Sequence, residues 1–118
     1  MTPPRILIVD DEPLIAFAIE DALIEAGFAI AGVAANVGDA LAIVESGICD
    51  GAILDANLFG VSVAPVAEAL AARGVRYLVL SGYDAEYLPV PLQGASYLQK
   101  PVKLPTLIST LNGFFPKS

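Results

Sequence analysis

Ile6-Leu7-Ile8-Val9-Asp10-Asp11-Glu12-Pro13, residues 6–13, is the stretch that decides the fold. Four apolar residues in a row, with none of the alternation of a half-exposed strand, read as a strand covered on both faces. The run stops at paired acids. Pro13 follows where a helix can begin, because the first helical turn has no use for the N–H that proline lacks. A buried strand passing directly into a helix opens a βα unit, and the rest of the chain repeats that pattern.

Ile15, Ala18, Ile19, Ala22, Leu23 and Ala26 recur at helical spacing, and Gly27 stands just past them. Phe28 to Val33 is a second β-prone run. Asn36, with Asp39 three residues later, reads as a helix start that Ala40, Leu41, Ile43 and Val44 continue to Gly47. Gly51-Ala52-Ile53-Leu54 is a third buried run, again ended by an acid, Asp55. After a loop through Gly60, a helix is expected over Val63–Arg73 with Val66, Ala67 and Leu70 inward, ended by Gly74. Val75–Leu80 and Ala95–Leu98 read as the fourth and fifth strands, stopping at Ser81-Gly82 and Lys100-Pro101. A last helix carries Leu104, Leu107, Ile108 and Leu111, with Pro105 in its first turn. Between the fourth and fifth strands, Pro89 and Pro91 interrupt Asp84–Gln93, so a short or disordered helix is expected there.

Composition narrows the function. The chain of 118 residues is read as one domain, 1–118, with 56% hydrophobic content that excludes intrinsic disorder. Six basic residues against 13 acidic ones give a net charge of −7 and no basic stripe for phosphate backbones, so nucleic acid is not an expected partner. The longest uncharged stretches run 13 residues, too short to span a membrane. With acids from Asp10 onward no export signal forms, and a cytoplasmic location is expected. The absence of histidine removes imidazole metal sites and histidine-based triads, and Cys49, the single cysteine, reads as a small buried hydrophobe.

Five βα units with short connections specify a parallel sheet, whose ligands gather at the carboxyl ends of the strands. Asp10-Asp11, Asp55, Ser81 and Lys100 stand there. Each alone also reads as an ordinary turn or cap residue. Together, three carboxylates at one low-dielectric edge repel one another unless a cation or proton joins them. Hard oxygen donors without histidine or thiolate favour magnesium, while a lysine and a hydroxyl suit a phosphoryl group.

These residues resemble the receiver domain of two-component response regulators over nearly the whole chain. The matching motifs are residues 6–13, Leu54-Asp55-Ala56-Asn57-Leu58, Ser81-Gly82-Tyr83 and Gly94-Ala95-Ser96-Tyr97-Leu98-Gln99-Lys100-Pro101. The resemblance implies a flavodoxin-like (βα)5 α/β fold with strand order 2-1-3-4-5. It implies that Asp55 accepts a phosphoryl group from a sensor histidine kinase or histidine phosphotransfer protein. Mg2+ would be held by Asp10, Asp11, Asp55 and the backbone carbonyl of Asn57. Lys100 and Ser81 would bind the phosphate, Ser81 and Tyr97 would form a switch, and the peptide bond before Pro101 would be cis. The resemblance further implies a phosphoacceptor domain that assists its own phosphoryl transfer and hydrolysis and is not otherwise an enzyme.

Leu58-Phe59-Gly60 replaces the Met-Pro pair that follows the acceptor in many receivers. Ser81-Gly82-Tyr83 resembles the FATGUY subgroup, although Val79-Leu80 departs from that subgroup's Phe-Ala. That likeness implies a kinase of the HWE/HisKA2 kind. Tyr83 and Asn57 are candidates for tuning hydrolysis. Output is expected through contact with a downstream protein, using the face built from the Pro-broken fourth helix, the fifth strand and the last helix. A degenerate, unphosphorylated receiver remains an alternative. A magnesium-dependent phosphatase of the haloacid dehalogenase type fits poorly, because Asp10 lacks a second Asp two residues on. A flavodoxin-like electron carrier would need a Ser/Thr/Gly-rich phosphate loop where this chain places acids.

Overall fold

The computed structural model describes residues 2–58, 60–82 and 96–115. Its elements are β1 (Arg5–Val9), α1 (Pro13–Glu25), β2 (Ala29–Ala34), α2 (Val37–Glu45), β3 (Gly51–Asp55), β4 (Asn57–Leu58), β5 (Val61–Ser62), α3 (Ala64–Ala72), β6 (Arg76–Ser81), β7 (Ser96–Gln99) and α4 (Leu104–Phe114). The main sheet is β2-β1-β3-β6-β7, every pair parallel, which is the expected 2-1-3-4-5 once the two-residue strands β4 and β5 are set aside. The segment 84–93, with its expected short or disordered helix, lies outside the described residues.

Helices on both faces explain the unbroken apolar runs. Along β1, Leu7 and Val9 enter a core shared with Leu54, Val66, Leu70 and Val79 on the α2/α3 side. Ile6 and Ile8 enter the other core, with Ile19, Leu23, Leu80 and Leu107 on the α1/α4 side. Successive strand residues face opposite ways, so a strand covered twice must be apolar at every position. Cys49 is buried in the α2/α3-side core, as a small hydrophobe would be.

Local signals place the helices well. Asn36 caps α2, its side-chain oxygen accepting from the Asp39 backbone N–H at 2.8 Å while its amide donates to the Asp39 carboxylate at 3.0 Å. Only part of the apolar spacing along α1 and its C-cap turns inward. Ala16, Ile19 and Leu23 are its buried residues, whereas Ala18 and Ala26 are exposed. Leu14 and Phe17 are also exposed, at 86% and 67%, so this helix is apolar nearly all round and its period cannot reveal which side faces the sheet.

The larger departure lies after β3. Within the stretch read from sequence as a loop, β4 and β5 pair antiparallel, Asn57 with Ser62 and Leu58 with Val61. Gly60 takes a positive φ of 81° in its turn, a backbone region that side chains with a Cβ disfavour.

Candidate functional site

Cross-strand hydrogen bonds hold the strand ends in place. The Asp10 N–H donates to the Ala34 carbonyl at 3.0 Å, that of Ala56 to Leu80 at 2.9 Å, and that of Lys100 to Ser81 at 2.7 Å. The ladders thus continue past β1, β3 and β7, and bring their C-terminal residues to one edge. Asp55 pairs with Leu80 in register, so Ser81 stands one step beyond it on the neighbouring strand.

Asp10, Asp11 and Asp55 each offer a carboxylate oxygen, and these atoms all lie within 4.8 Å of one another. Asp10 is 3% exposed and Asp55 6%. Lys100 Nζ lies 3.3 Å from Asp55 Oδ1, the one cation that the described residues bring onto this cluster as a salt bridge. Three negative charges against one positive, in a poorly hydrated edge, make a site that attracts a further cation. Asp10 carries the clearest mark of it. Its Oδ1 accepts from the Glu12 N–H at 2.9 Å, whereas Oδ2 is buried without a hydrogen-bond partner among the described residues. A buried carboxylate oxygen left unpaired is costly, and a hard divalent ion is the partner that would satisfy it.

The Asp10 carboxyl is held above the ordinary carboxylate range, first by burial, then by the charges of Asp55 and Asp11, against the Glu12 N–H and Lys100, which lower it. A folded-state value above the unfolded one means that the folded chain binds more protons between the two. Stability therefore falls as pH rises through that window, and Asp10 is a liability at neutral pH. With metal chelated, Asp10→Asn is expected to raise Tm at pH 7 by a few degrees, since asparagine keeps the acceptor that receives the Glu12 N–H. That advantage should shrink as pH falls and the native carboxyl takes up its proton. Unfolding curves at several pH values check this, and an equal or lower Tm at pH 7 would contradict it.

Ser81 ends β6 and is 2% exposed. Tyr97, half-buried on β7, pairs with Val79 and packs against the α2/α3-side core. Ser81 and Val79 are two residues apart on one strand, so Ser81 and Tyr97 share that face of the sheet. The Lys100–Pro101 peptide bond is cis. Asn57 opens the hairpin, two residues after Asp55. Tyr83, a candidate for tuning hydrolysis, lies outside the described residues. The hairpin itself went unread in the sequence, although a glycine between Leu58 and Val61 is a turn signal that could have found it.

Among the described residues no helix is long and apolar enough to cross a membrane. No curated protein matches the chain. Several solved structures do. The solution structure of SdrG from Sphingomonas melonis Fr1 is 38% identical with a TM-score of 0.82, over 98% of this chain and 99% of that one. The receiver domain of the PhyR response regulator from Erythrobacter litoralis is 29% identical, TM-score 0.83, over 100% and 95% of the two chains. The response regulator TrrA from Thermotoga maritima, solved in complex with Mg(2+)-BeF, is also 29% identical with a TM-score of 0.83, covering 95% of this chain and 99% of its own. Residues 6–112 match the family described as the response regulator receiver domain. A match that begins within β1 and runs into α4 takes in every strand end that forms the acidic edge, and the chain belongs to the response regulator receiver domain family.

Proposed function

We propose that Asp55 is the phosphoacceptor of this receiver, loaded from a histidine kinase or histidine phosphotransfer protein with Mg2+ as cofactor. The observation that carries this reading is the placement of the Asp55 carboxylate, at the end of a central strand, within 4.8 Å of two other carboxylates and 3.3 Å from Lys100 Nζ. An Asp55 oxygen attacks phosphorus, the O–P bond forms, the donor's P–N bond breaks, and the imidazole nitrogen leaves with the electron pair. Asp10, Asp11, Asp55 and the Asn57 main-chain carbonyl would hold the ion. Bound Mg2+ supplies positive charge to the transferring oxygens, where positioning and neutralisation provide most of the rate. Lys100 balances the charge gained by Asp55. The Ser81 hydroxyl moves to donate to a phosphate oxygen, and Tyr97, on the same face of the sheet, swings inward to fill the space it leaves.

Ser81-Gly82-Tyr83 supports a FATGUY-type receiver with a kinase of the HWE/HisKA2 kind, acting in the cytoplasm. The experiment is intact mass after incubation with Mg2+ and a small phosphodonor. A gain of one phosphoryl group that chelation abolishes supports the reading. No gain from small donors or from candidate kinases would favour a degenerate receiver.

The donor's approach is best served beside α1. Leu14, Ile15 and Ala18 line a hollow of about 640 Å³ with Lys100, Pro101 and Leu104, and Phe17 stands exposed on the same helix. An exposed apolar patch touching a reactive site suits a protein partner. Phe17→Glu is expected to slow transfer from the donor protein about tenfold or more while leaving the small-donor reaction unchanged. Equal slowing of both reactions would argue against docking here.

A further inference from the structure

We infer that the β4/β5 hairpin sets the divalent-metal affinity of the acidic site by fixing the main chain at Asn57. This rests on the proposed assignment of Mg2+ to the carboxylate cluster with the Asn57 main-chain carbonyl as a further ligand. The argument begins with the ladder. The Val63 N–H donates to the Ala56 carbonyl at 3.2 Å, which makes that pair a hydrogen-bonded one. Antiparallel ladders alternate bonded and non-bonded pairs, so the next pair, Asn57 with Ser62, is non-bonded. The N–H and C=O of Asn57 therefore point away from the partner strand. The hairpin uses the backbone on either side of Asn57 and leaves its carbonyl outside the ladder, two residues from Asp55.

What holds the hairpin is equally specific. Ala56, Leu58 and Val63 are 8%, 2% and 0% exposed and belong to the α2/α3-side core. Three buried side chains thus clamp both strands to the body of the domain. At the other end Gly60 reverses the chain at φ 81°, with nothing within 4 Å of where a Cβ would stand. A side chain at position 60 would strain the backbone without clashing with any of the described residues. Such strain is relieved by shifting the turn, and the shift carries to Asn57 through the Leu58–Val61 pair. Leu58 and Gly60 are accordingly positioning residues for metal binding, though neither touches the ion.

Gly74, at the end of α3, supplies a matched control. Its φ is 70°, and nothing lies within 4 Å of its would-be Cβ either. Gly60→Ala and Gly74→Ala impose the same kind of backbone strain, one on the hairpin and one on a helix terminus. The test is calorimetric titration of the full chain with MgCl2, alongside thermal unfolding under chelation. Both variants should lose some Tm. Gly60→Ala should weaken Mg2+ binding about fivefold to tenfold, whereas Gly74→Ala should stay within about twofold of the native chain. Gly60→Asn, whose side chain tolerates positive φ better, should recover part of the affinity. Leu58→Ala should weaken binding and Leu58→Met restore it. Native affinity in Gly60→Ala, or equal losses in both glycine variants, would overturn the inference while leaving the metal assignment intact. A native chain that takes up no Mg2+ would overturn both.

Discussion

Asp55→Asn is expected to abolish phosphorylation, with no phosphoryl mass gained under conditions that load the native chain fully. The amide matches the carboxylate in shape but carries no negative charge and is a far weaker nucleophile toward phosphorus, so the loss should exceed about 100-fold. Its side effects should be small and opposed. The substitution removes one of three mutually repelling charges, which favours the fold, and breaks the 3.3 Å pair with Lys100, which does not. Lys100 retains 23% side-chain exposure and can turn its ammonium to water, so the variant should remain folded. Intact mass and an unfolding curve on one preparation check both statements. Undiminished loading of a folded Asp55→Asn chain would place the acceptor elsewhere.

Leu54→Ala is expected to give the largest loss of stability, about 3 kcal/mol, within the range for a leucine truncated in a packed core. Leu54 is 0% exposed and pairs with Val9 on one side and Val79 on the other, at the middle of the sheet. Leu58, Val66 and Leu70 share its core, so the void opens between sheet and helices and neighbours fixed in regular structure cannot collapse into it. For a chain of this length, 1 kcal/mol corresponds to about 4 °C, which puts the fall in Tm near 12 °C. Leu14→Ala is the control. At 86% exposure, its removal should cost no more than about 0.5 kcal/mol. Urea and thermal unfolding followed by circular dichroism measure both variants. Similar losses from the two would mean that α1 and the core are not partitioned as described.

The sequence was most legible where one physical demand dominates. The runs at 6–9 and 51–54 are apolar at every position because helices cover both faces of β1 and β3, and their shortness, bounded by acids and turn residues, marks them as strands. Asn36 and Asp39 were readable as a helix start because capping is local, set by three residues and independent of the rest of the fold. The acids at 10, 11 and 55 and the lysine at 100 were readable as one site because parallel strands must present their carboxyl ends at one edge.

Other features needed the folded chain. For α1, apolar residues on almost every side left the inward face undetermined, and contact with the sheet selected Ala16, Ile19 and Leu23. The hairpin at 57–62 is too short for periodicity to register, and burial of Ala56, Leu58 and Val63 is what clamps it to the domain. By itself, then, the sequence determined the order of the main-sheet strands and the helices described between them, the covered sheet and the identity of the residues at its acidic edge, because backbone geometry and burial on two faces leave few alternatives. Only the tertiary structure decided which Asp10 oxygen is buried without a partner, how near Lys100 comes to Asp55, and where the main chain at Asn57 is held. Those depend on register and packing between segments far apart in the chain, and no local pattern of residues encodes them.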